Sequence, residues 1–339
     1  MDTILYLAHT EADGSLSKTA KEALSAVKAL AQGLGGGFAV GLVGRSVQAA
    51  ADSIAGCGAT GFFAVQGADY DVSRYATDTA ACTAICKQAA ATLVVAPATA
   101  RFSRCLPGVA ARLGGRVDTQ CTGLVVEGGE IVINRWYYRQ RMESLQTRTQ
   151  RPWVISVAPC CFLPEEGCAG SAALTEVAVQ VVTRTEVVGV EAPSADEQTI
   201  RPEAEVLFVA GAGWTKKQAD GTTHMKEAEQ HILGFLDGTK ASLGSSKSLV
   251  DLSGEGEDVL SFMTHLHQVG QTGATPRHKK GLATCCHGEE PHVVGWRFIA
   301  ERRAVNLDAG CGWAQGKADV LYVADAFAVM TKVNELLGK

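Results

Sequence analysis

Leu93-Val94-Val95-Ala96-Pro97 is a short, unbroken apolar run, the pattern of a strand covered on both faces inside a parallel sheet. The preceding stretch, Arg74 to Ala89, reads as a helix that delivers the chain to it. Toward the N-terminus the same alternation repeats. Ile4 to Ala8 is a strand, and Ala20, Ala23, Leu24, Val27, Leu30 and Leu34 recur at helical spacing between Ser17 and Leu34. Phe38 to Val43, a helix near Val47 to Ile54, and the short Phe62 to Val65 follow. Strands and helices alternating in this way predict a doubly wound α/β layer.

Toward the C-terminus the pattern changes after about residue 118. Leu124 to Val126 and Ile131 to Ile133 flank Glu127-Gly128-Gly129-Glu130, where paired glycines supply the positive φ angles of a hairpin. Antiparallel strands therefore join the sheet, with Val154 to Val157 and the β-rich Thr175 to Val190 expected to continue it. Between them Asn134 to Arg151 carries five arginines with Trp136, Tyr137 and Tyr138, which reads as a solvated strand face or a phosphate or partner surface. Glu191 to Gln198 is polar and proline-bearing, as a linker is. The expected organisation is an N-terminal domain over 1–192, a linker over 193–203 and a second α/β domain over 204–339. In the latter, Val206 to Ala210, Leu282 to Cys285, Arg303 to Asn306 and Val320 to Val323 read as strands. Met225 to Leu236, Asp258 to His267 and Asp325 to Leu337 read as helices.

Composition agrees with two buried cores. The chain has 339 residues, 46% apolar and 20% charged, with 37 glycines and 9 prolines, a globular balance rather than a disordered one. A net charge of −5 argues against a nucleic-acid surface, which needs a basic field to displace counterions. No apolar run approaches the ~18 residues of a membrane span, so no membrane insertion is expected. The N-terminus enters its first strand without a signal-like region, which makes a cytoplasmic location the expectation. Eleven cysteines, an odd number that includes the adjacent pairs Cys160-Cys161 and Cys285-Cys286, read as reduced thiols. No Ser-His-Asp order, HExxH or Walker A pattern supports hydrolysis or phosphoryl transfer.

Three glycine-bearing turns carry the chemistry. Gly211-Ala212-Gly213 ends a buried strand, where glycine admits a pyrophosphate to the backbone; a plain tight turn is the competing reading, since the full GxGxxG spacing is absent. Gly244-Ser245-Ser246-Lys247-Ser248 offers hydroxyls and an ammonium, suited to a phosphate or to a surface loop. In Val269-Gly270-Gln271-Thr272-Gly273 two glycines bracket an amide and a hydroxyl, a compact arrangement for the polar edge of a planar ring.

In that order, followed by Gly288, His292, Asn306 and Ala318-Asp319, these turns resemble the α subunit of electron transfer flavoproteins. The resemblance extends more loosely to Ile4 to Ala8, Asp13 to Leu16, Ala96 to Thr99 and Gly170 to Ala172. It implies two doubly wound α/β domains, the C-terminal one a parallel sheet that binds FAD, the N-terminal one with added antiparallel strands packing on a separate β subunit. It implies an electron carrier, not a substrate-transforming enzyme: a partner dehydrogenase donates electrons, and a quinone oxidoreductase or other redox protein accepts them. On this resemblance Gln271 and Thr272 face the flavin and His292 lies near its O2 edge. Ser246 and Lys247 lie near the pyrophosphate and ring, and Gly211, Gly213, Gly270, Gly273 and Gly288 allow close backbone approach. Asn306 and Asp319 address the ribityl, ribose or adenine end.

The chain departs from the family pattern in the Gly-rich turn, where no arginine stands; Trp214 and Lys216 are the candidates to stack on the ring or supply the charge. Thr275 to Lys280 replaces an apolar strand. Cys285, Cys286 and His287 have the chemistry of soft metal ligands, although neighbours on a strand point to opposite faces. Two other readings stay open: a non-redox nucleotide-binding subunit of the same fold, and a thiol or metal redox protein.

Overall fold

The computed structural model describes residues 2–137, 142–190, 200–201, 204–251, 259–270, 275–284, 298–311, 314 and 317–338. The chain divides into two compact units, Met1–Val190 and Glu191–Lys339. Of the stretch read as a linker only Ile200 and Arg201 fall among the described residues, and both are held by the second unit. The Arg201 amide donates to Ser242 Oγ at 2.8 Å, and Ile200 packs on that unit's core.

The first unit begins with β1 (Ile4–His9), α1 (Lys18–Gly33), β2 (Phe38–Gly44), α2 (Gln48–Ser53), β3 (Phe62–Gln66), α3 (Tyr75–Gln88), β4 (Leu93–Pro97) and α4 (Ala100–Arg112). It continues with β5 (Arg116–Glu127), β6 (Glu130–Tyr137), β7 (Met142–Gln146), β8 (Trp153–Val157) and β9 (Leu174–Glu176). Among the described residues the sheet runs β7-β6-β5-β8-β4-β1-β2-β3-β9. It is parallel except where β6 pairs with β5 and β7. Ser17 caps α1 by accepting from the Ala20 amide, and Ala20, Ala23, Leu24, Val27 and Leu30 line its buried face. They pack with Tyr6, Val40 and Val95 on one side of the sheet. On the other side Leu5, Leu7 and Val94 meet α3 and α4. Burying each of these larger side chains contributes roughly 1.5–3 kcal/mol of transfer free energy. At the hairpin, Gly128 and Gly129 take φ of 58° and 85°, which only glycine adopts without strain.

The structure corrects the sequence reading in several places. Helix α4 was not anticipated. It carries Pro107 and buries Arg101 against Asp78, whose Oδ1 accepts from Arg101 Nη2 at 2.7 Å. The valine-rich Thr175 to Val190 is not an extended strand of the antiparallel set: only Leu174–Glu176 finds a partner, the parallel edge of β3. The rest runs without a ladder, with Val177 and Val179 packed against the α3–α4 core and Val188 and Val190 exposed. The basic stretch is not simply solvated either. Arg135 and Arg148 converge on buried Asp118, Arg135 Nη1 at 3.1 Å and Arg148 Nη2 at 2.9 Å, and the Trp153 indole adds a third donor at 2.9 Å.

The second unit holds β10 (Val206–Ala210), α5 (Met225–Thr239), β11 (Ser242–Ser245), α6 (Lys247–Asp251), β12 (His278–Thr284), β13 (Ile299–Asn306), β14 (Val320–Val323) and α7 (Ala326–Leu337). Its sheet is parallel throughout, in the order β11-β10-β12-β13-β14. Strand β12 starts at His278, inside the polar stretch that departs from the family pattern, and the buried His278 ring has a polar atom beside each nitrogen. Nδ1 lies 3.0 Å from the Pro276 carbonyl, and Nε2 lies 2.9 Å from the Arg201 carbonyl. Where a helix was expected over Asp258 to His267, the described part holds only a 3₁₀ turn, His265–His267. Among the described residues no helix is long and apolar enough to cross a membrane.

Candidate functional site

The chain leaves β10, forms α5 and returns as β11 on one side, then crosses β10 to continue as β12, β13 and β14 on the other. Neighbouring crossovers thus leave the ends of β10 and β12 in opposite directions. In open α/β sheets this reversal opens a crevice at the carboxyl ends of the strands, where ligands bind. The described site residues sort themselves by that edge.

Gly211 follows β10, and its amide donates to the Thr284 carbonyl at the end of β12 (2.9 Å). Gly213 lies in the buried 3₁₀ turn Ala212–Thr215. Ser246 follows β11; its amide donates to the Ala210 carbonyl (2.8 Å), and its Oγ accepts from the Leu249 amide at 3.3 Å. Lys247 opens α6 with its ammonium 3.6 Å from Asp251 Oδ2. Gly270, at φ 85°, follows Val269, whose amide donates to the Ser245 carbonyl at 3.1 Å. Asn306 ends β13 and is buried. Six of the expected residues therefore stand at the same edge of one sheet. Gln271, Thr272, Gly273, Gly288 and His292 lie outside the described residues, as do Cys285, Cys286 and His287. Their described neighbours Gly270 and Thr284 both stand at the carboxyl edge.

Asp319 does not join them. It precedes β14 at the amino edge, where its carboxylate Oδ2 accepts from the Arg302 amide at 2.6 Å. Register pairs Arg303 with Val320 and Asn306 with Val323, so Asp319 and Asn306 are separated by the length of the strand, about 10 Å or more. The residue at the carboxyl end of β14 is Asp325, which caps α7 by accepting from the Ala328 amide at 2.9 Å. An Ala-Asp pair stands on each side of β14, at 318–319 and at 324–325. The resemblance points to the first pair; the strand's direction puts only the second at the carboxyl edge.

Trp214 also departs from expectation. Its ring is fully buried, 4.6 Å from the Phe327 ring centroid, and its indole donates to Thr284 Oγ1 at 2.8 Å. It belongs to the core between α5 and α7 and is not presented for stacking on a ligand. Lys216 is exposed and remains as the cationic candidate. At the start of α5, His224 sits between Glu227 Oε2 (2.9 Å) and Asp220 Oδ2 (2.8 Å); hydrogen bonds to these two carboxylates raise its pKa.

The edge retains unsatisfied hydrogen-bonding capacity. Ser245 Oγ and Asn306 Nδ2 are buried side-chain atoms with no hydrogen-bond partner, one at the end of β11 and one at the end of β13. Orphaned buried polar atoms are rare, and each calls for an explanation, of which a ligand that completes the network is one. The first unit offers a contrast. Its own reversal falls between β1 and β4, and there His9 at the end of β1 and Thr99 after β4 pair with each other. Burial lowers the His9 pKa; its Nδ1 lies 3.2 Å from the Thr10 carbonyl and its Nε2 2.8 Å from Thr99 Oγ1. Among the described residues no group of three or more His, Cys, Asp or Glu side chains is arranged to hold a metal ion.

These features define a two-unit α/β protein whose second sheet has a switch point bordered by glycine turns and by two buried side-chain atoms without a hydrogen-bond partner. The chain belongs to the electron transfer flavoprotein family: the model of the electron transfer flavoprotein domain matches residues 4–182, more than half of its 339 residues. A comparison with curated proteins gave no match. The family match falls within the first unit, and the switch point with the expected cofactor residues belongs to the second.

Proposed function

We propose that the chain is the α subunit of an electron transfer flavoprotein, holding FAD at the carboxyl edge of β10–β14 together with a β subunit. Electrons would pass from a partner dehydrogenase to a quinone oxidoreductase or another redox acceptor. The observation that carries this reading is the pair of orphaned atoms, Ser245 Oγ and Asn306 Nδ2, at the edge where the strand order requires a crevice. The donor set fits a dinucleotide, which offers phosphate, ribose and ribityl oxygens. When bound, FAD supplies reversible electron storage.

The chain's own residues bind and orient. Gly211 and Gly270 let the backbone approach the ligand, Lys247 supplies positive charge, and Asn306 donates its amide to a ligand oxygen. Asp325, in place of Asp319, is positioned to accept from a sugar hydroxyl. Thr272 and His292 are assigned to the ring edge on the family resemblance, where a hydroxyl and an imidazole would stabilise charge on the ring oxygen. A non-redox nucleotide-binding subunit is the second reading, favoured by one observation: with Trp214 buried in the core, the Gly-rich turn presents no aromatic ring to the crevice.

Co-expression with the β subunit distinguishes them. The carrier reading expects a yellow heterodimer whose visible absorption bleaches on reduction and which releases FAD, identified by mass. A colourless, stable heterodimer would overturn it.

A further inference from the structure

We infer that Ser245 is a cofactor-binding residue of this chain, its hydroxyl donating to a phosphate oxygen of the dinucleotide at the end of β11. The inference rests on the proposed cofactor site and goes beyond it. The family resemblance gives that role in this turn to Ser246 and Lys247, while the turn's residues by themselves offer both hydroxyls, Ser245 and Ser246.

Three neighbouring serines show how the fold treats a buried hydroxyl here. Ser242 Oγ accepts from the Arg201 amide at 2.8 Å and donates to the Arg201 carbonyl at 2.9 Å. Ser246 Oγ caps the Leu249 amide. Ser245, equally buried, leaves its Oγ without any partner. Its backbone is fixed from both sides: it pairs with Ala210 on β10, and its carbonyl accepts from the Val269 amide. Val269 comes so close that a Cβ on Gly244 would lie 2.4 Å from Val269 Cγ2. Ala210 and Thr284 stand at the same level on β10 and β12. Ala210 has no polar side-chain atom, and Thr284 Oγ1 is engaged by Trp214. Ser245 is therefore the hydroxyl of that row with its bond still to make.

An isolated buried hydroxyl destabilises a fold, and alanine at this position would remove the penalty. A ligand that accepts a hydrogen bond reverses the balance. Among ligand atoms an anionic phosphate oxygen makes the strongest partner for O–H, and Lys247, two residues on, adds positive charge to the same turn.

The test compares Ser245→Ala and the near-isosteric Ser245→Cys with the unsubstituted full chain, each in complex with the β subunit and stripped of flavin. FAD and ADP binding are titrated by fluorescence quenching and calorimetry, and thermal unfolding is measured without ligand. Ser245→Ala should weaken both FAD and ADP about tenfold or more while leaving the midpoint of the ligand-free protein unchanged or raised; Ser245→Cys should fall between. Undiminished affinity for FAD and ADP, or a destabilised ligand-free protein, would overturn the inference. Loss of FAD affinity with ADP affinity intact would also overturn it, by moving the hydroxyl off the pyrophosphate. If the unsubstituted complex binds no flavin, the cofactor reading fails by itself, and ADP still tests Ser245.

Discussion

Single residues carry the sharpest consequences. Asp118 is the clearest in the first unit. Burial pushes its carboxyl pKa up, but the hydrogen bonds from Arg148 and Trp153 and the charges of Arg148 and Arg135 outweigh that and hold it below the usual range. A carboxylate with a depressed folded pKa adds stability above its unfolded pKa of about 3.9 and loses it as pH falls through the folded value. Asp118→Asn should therefore cost about 3 kcal/mol at pH 7, since it leaves two guanidinium groups without their counter-charge. The deficit should shrink below about pH 4; urea denaturation at neutral and acid pH checks both parts. In the second unit Asp325 and Asp319 are the discriminating pair. Asp325→Ser keeps a helix cap and should lower FAD affinity several-fold, about the effect of one lost hydrogen bond, while Asp319→Ala should leave it unchanged. The reverse outcome would return the site to the amino edge. These placements mark the limit of sequence reading at this scale. Glycines and serines after strands were legible because turn chemistry is local. The choice between two Ala-Asp pairs needed the strand's direction, and the orphaned state of Ser245 depends on partners from β10 and residues 268–270.

Elements were legible where burial followed a period. Helix α1, with apolar residues on one face, and β4, with none exposed, are read directly from spacing. Helix α4 was not, because its buried face includes Arg101, and its interior includes Pro107; a periodicity argument assigns the arginine to solvent, whereas the Asp78 carboxylate makes its burial tolerable. Conversely, Thr175 to Val190 has strand composition but lacks a ladder partner beyond Glu176, and β propensity without pairing does not make a strand. The Gly128-Gly129 turn was anticipated from local sequence and sets the β5–β6 register, with Glu127 opposite Glu130. Gly129→Ala places a Cβ at φ 85° and should destabilise the first unit by about 1 kcal/mol, read as a lower urea midpoint with an unchanged m-value.

At the scale of the whole molecule, the two α/β units, the first with a mostly parallel sheet and the second with a wholly parallel one, carry different features. The first carries the family match; the second carries the candidate cofactor residues, with Ser245 Oγ and Asn306 Nδ2 among them lacking a hydrogen-bond partner. Their alternation of strands and helices was visible in the sequence, since fully buried parallel strands are uniformly apolar. The strand order of the second sheet, which locates the crevice, was not, because order is fixed by crossovers rather than by local composition. The central claim is that FAD binds at the carboxyl edge of the second sheet. Hydrogen–deuterium exchange of the heterodimer, with and without FAD, tests it most directly. Protection is predicted in peptides covering 211–216, 244–250, 306–309 and 324–328. Protection confined to the amino-edge peptides 278–281, 299–303 and 317–320, or to the first unit, would contradict it.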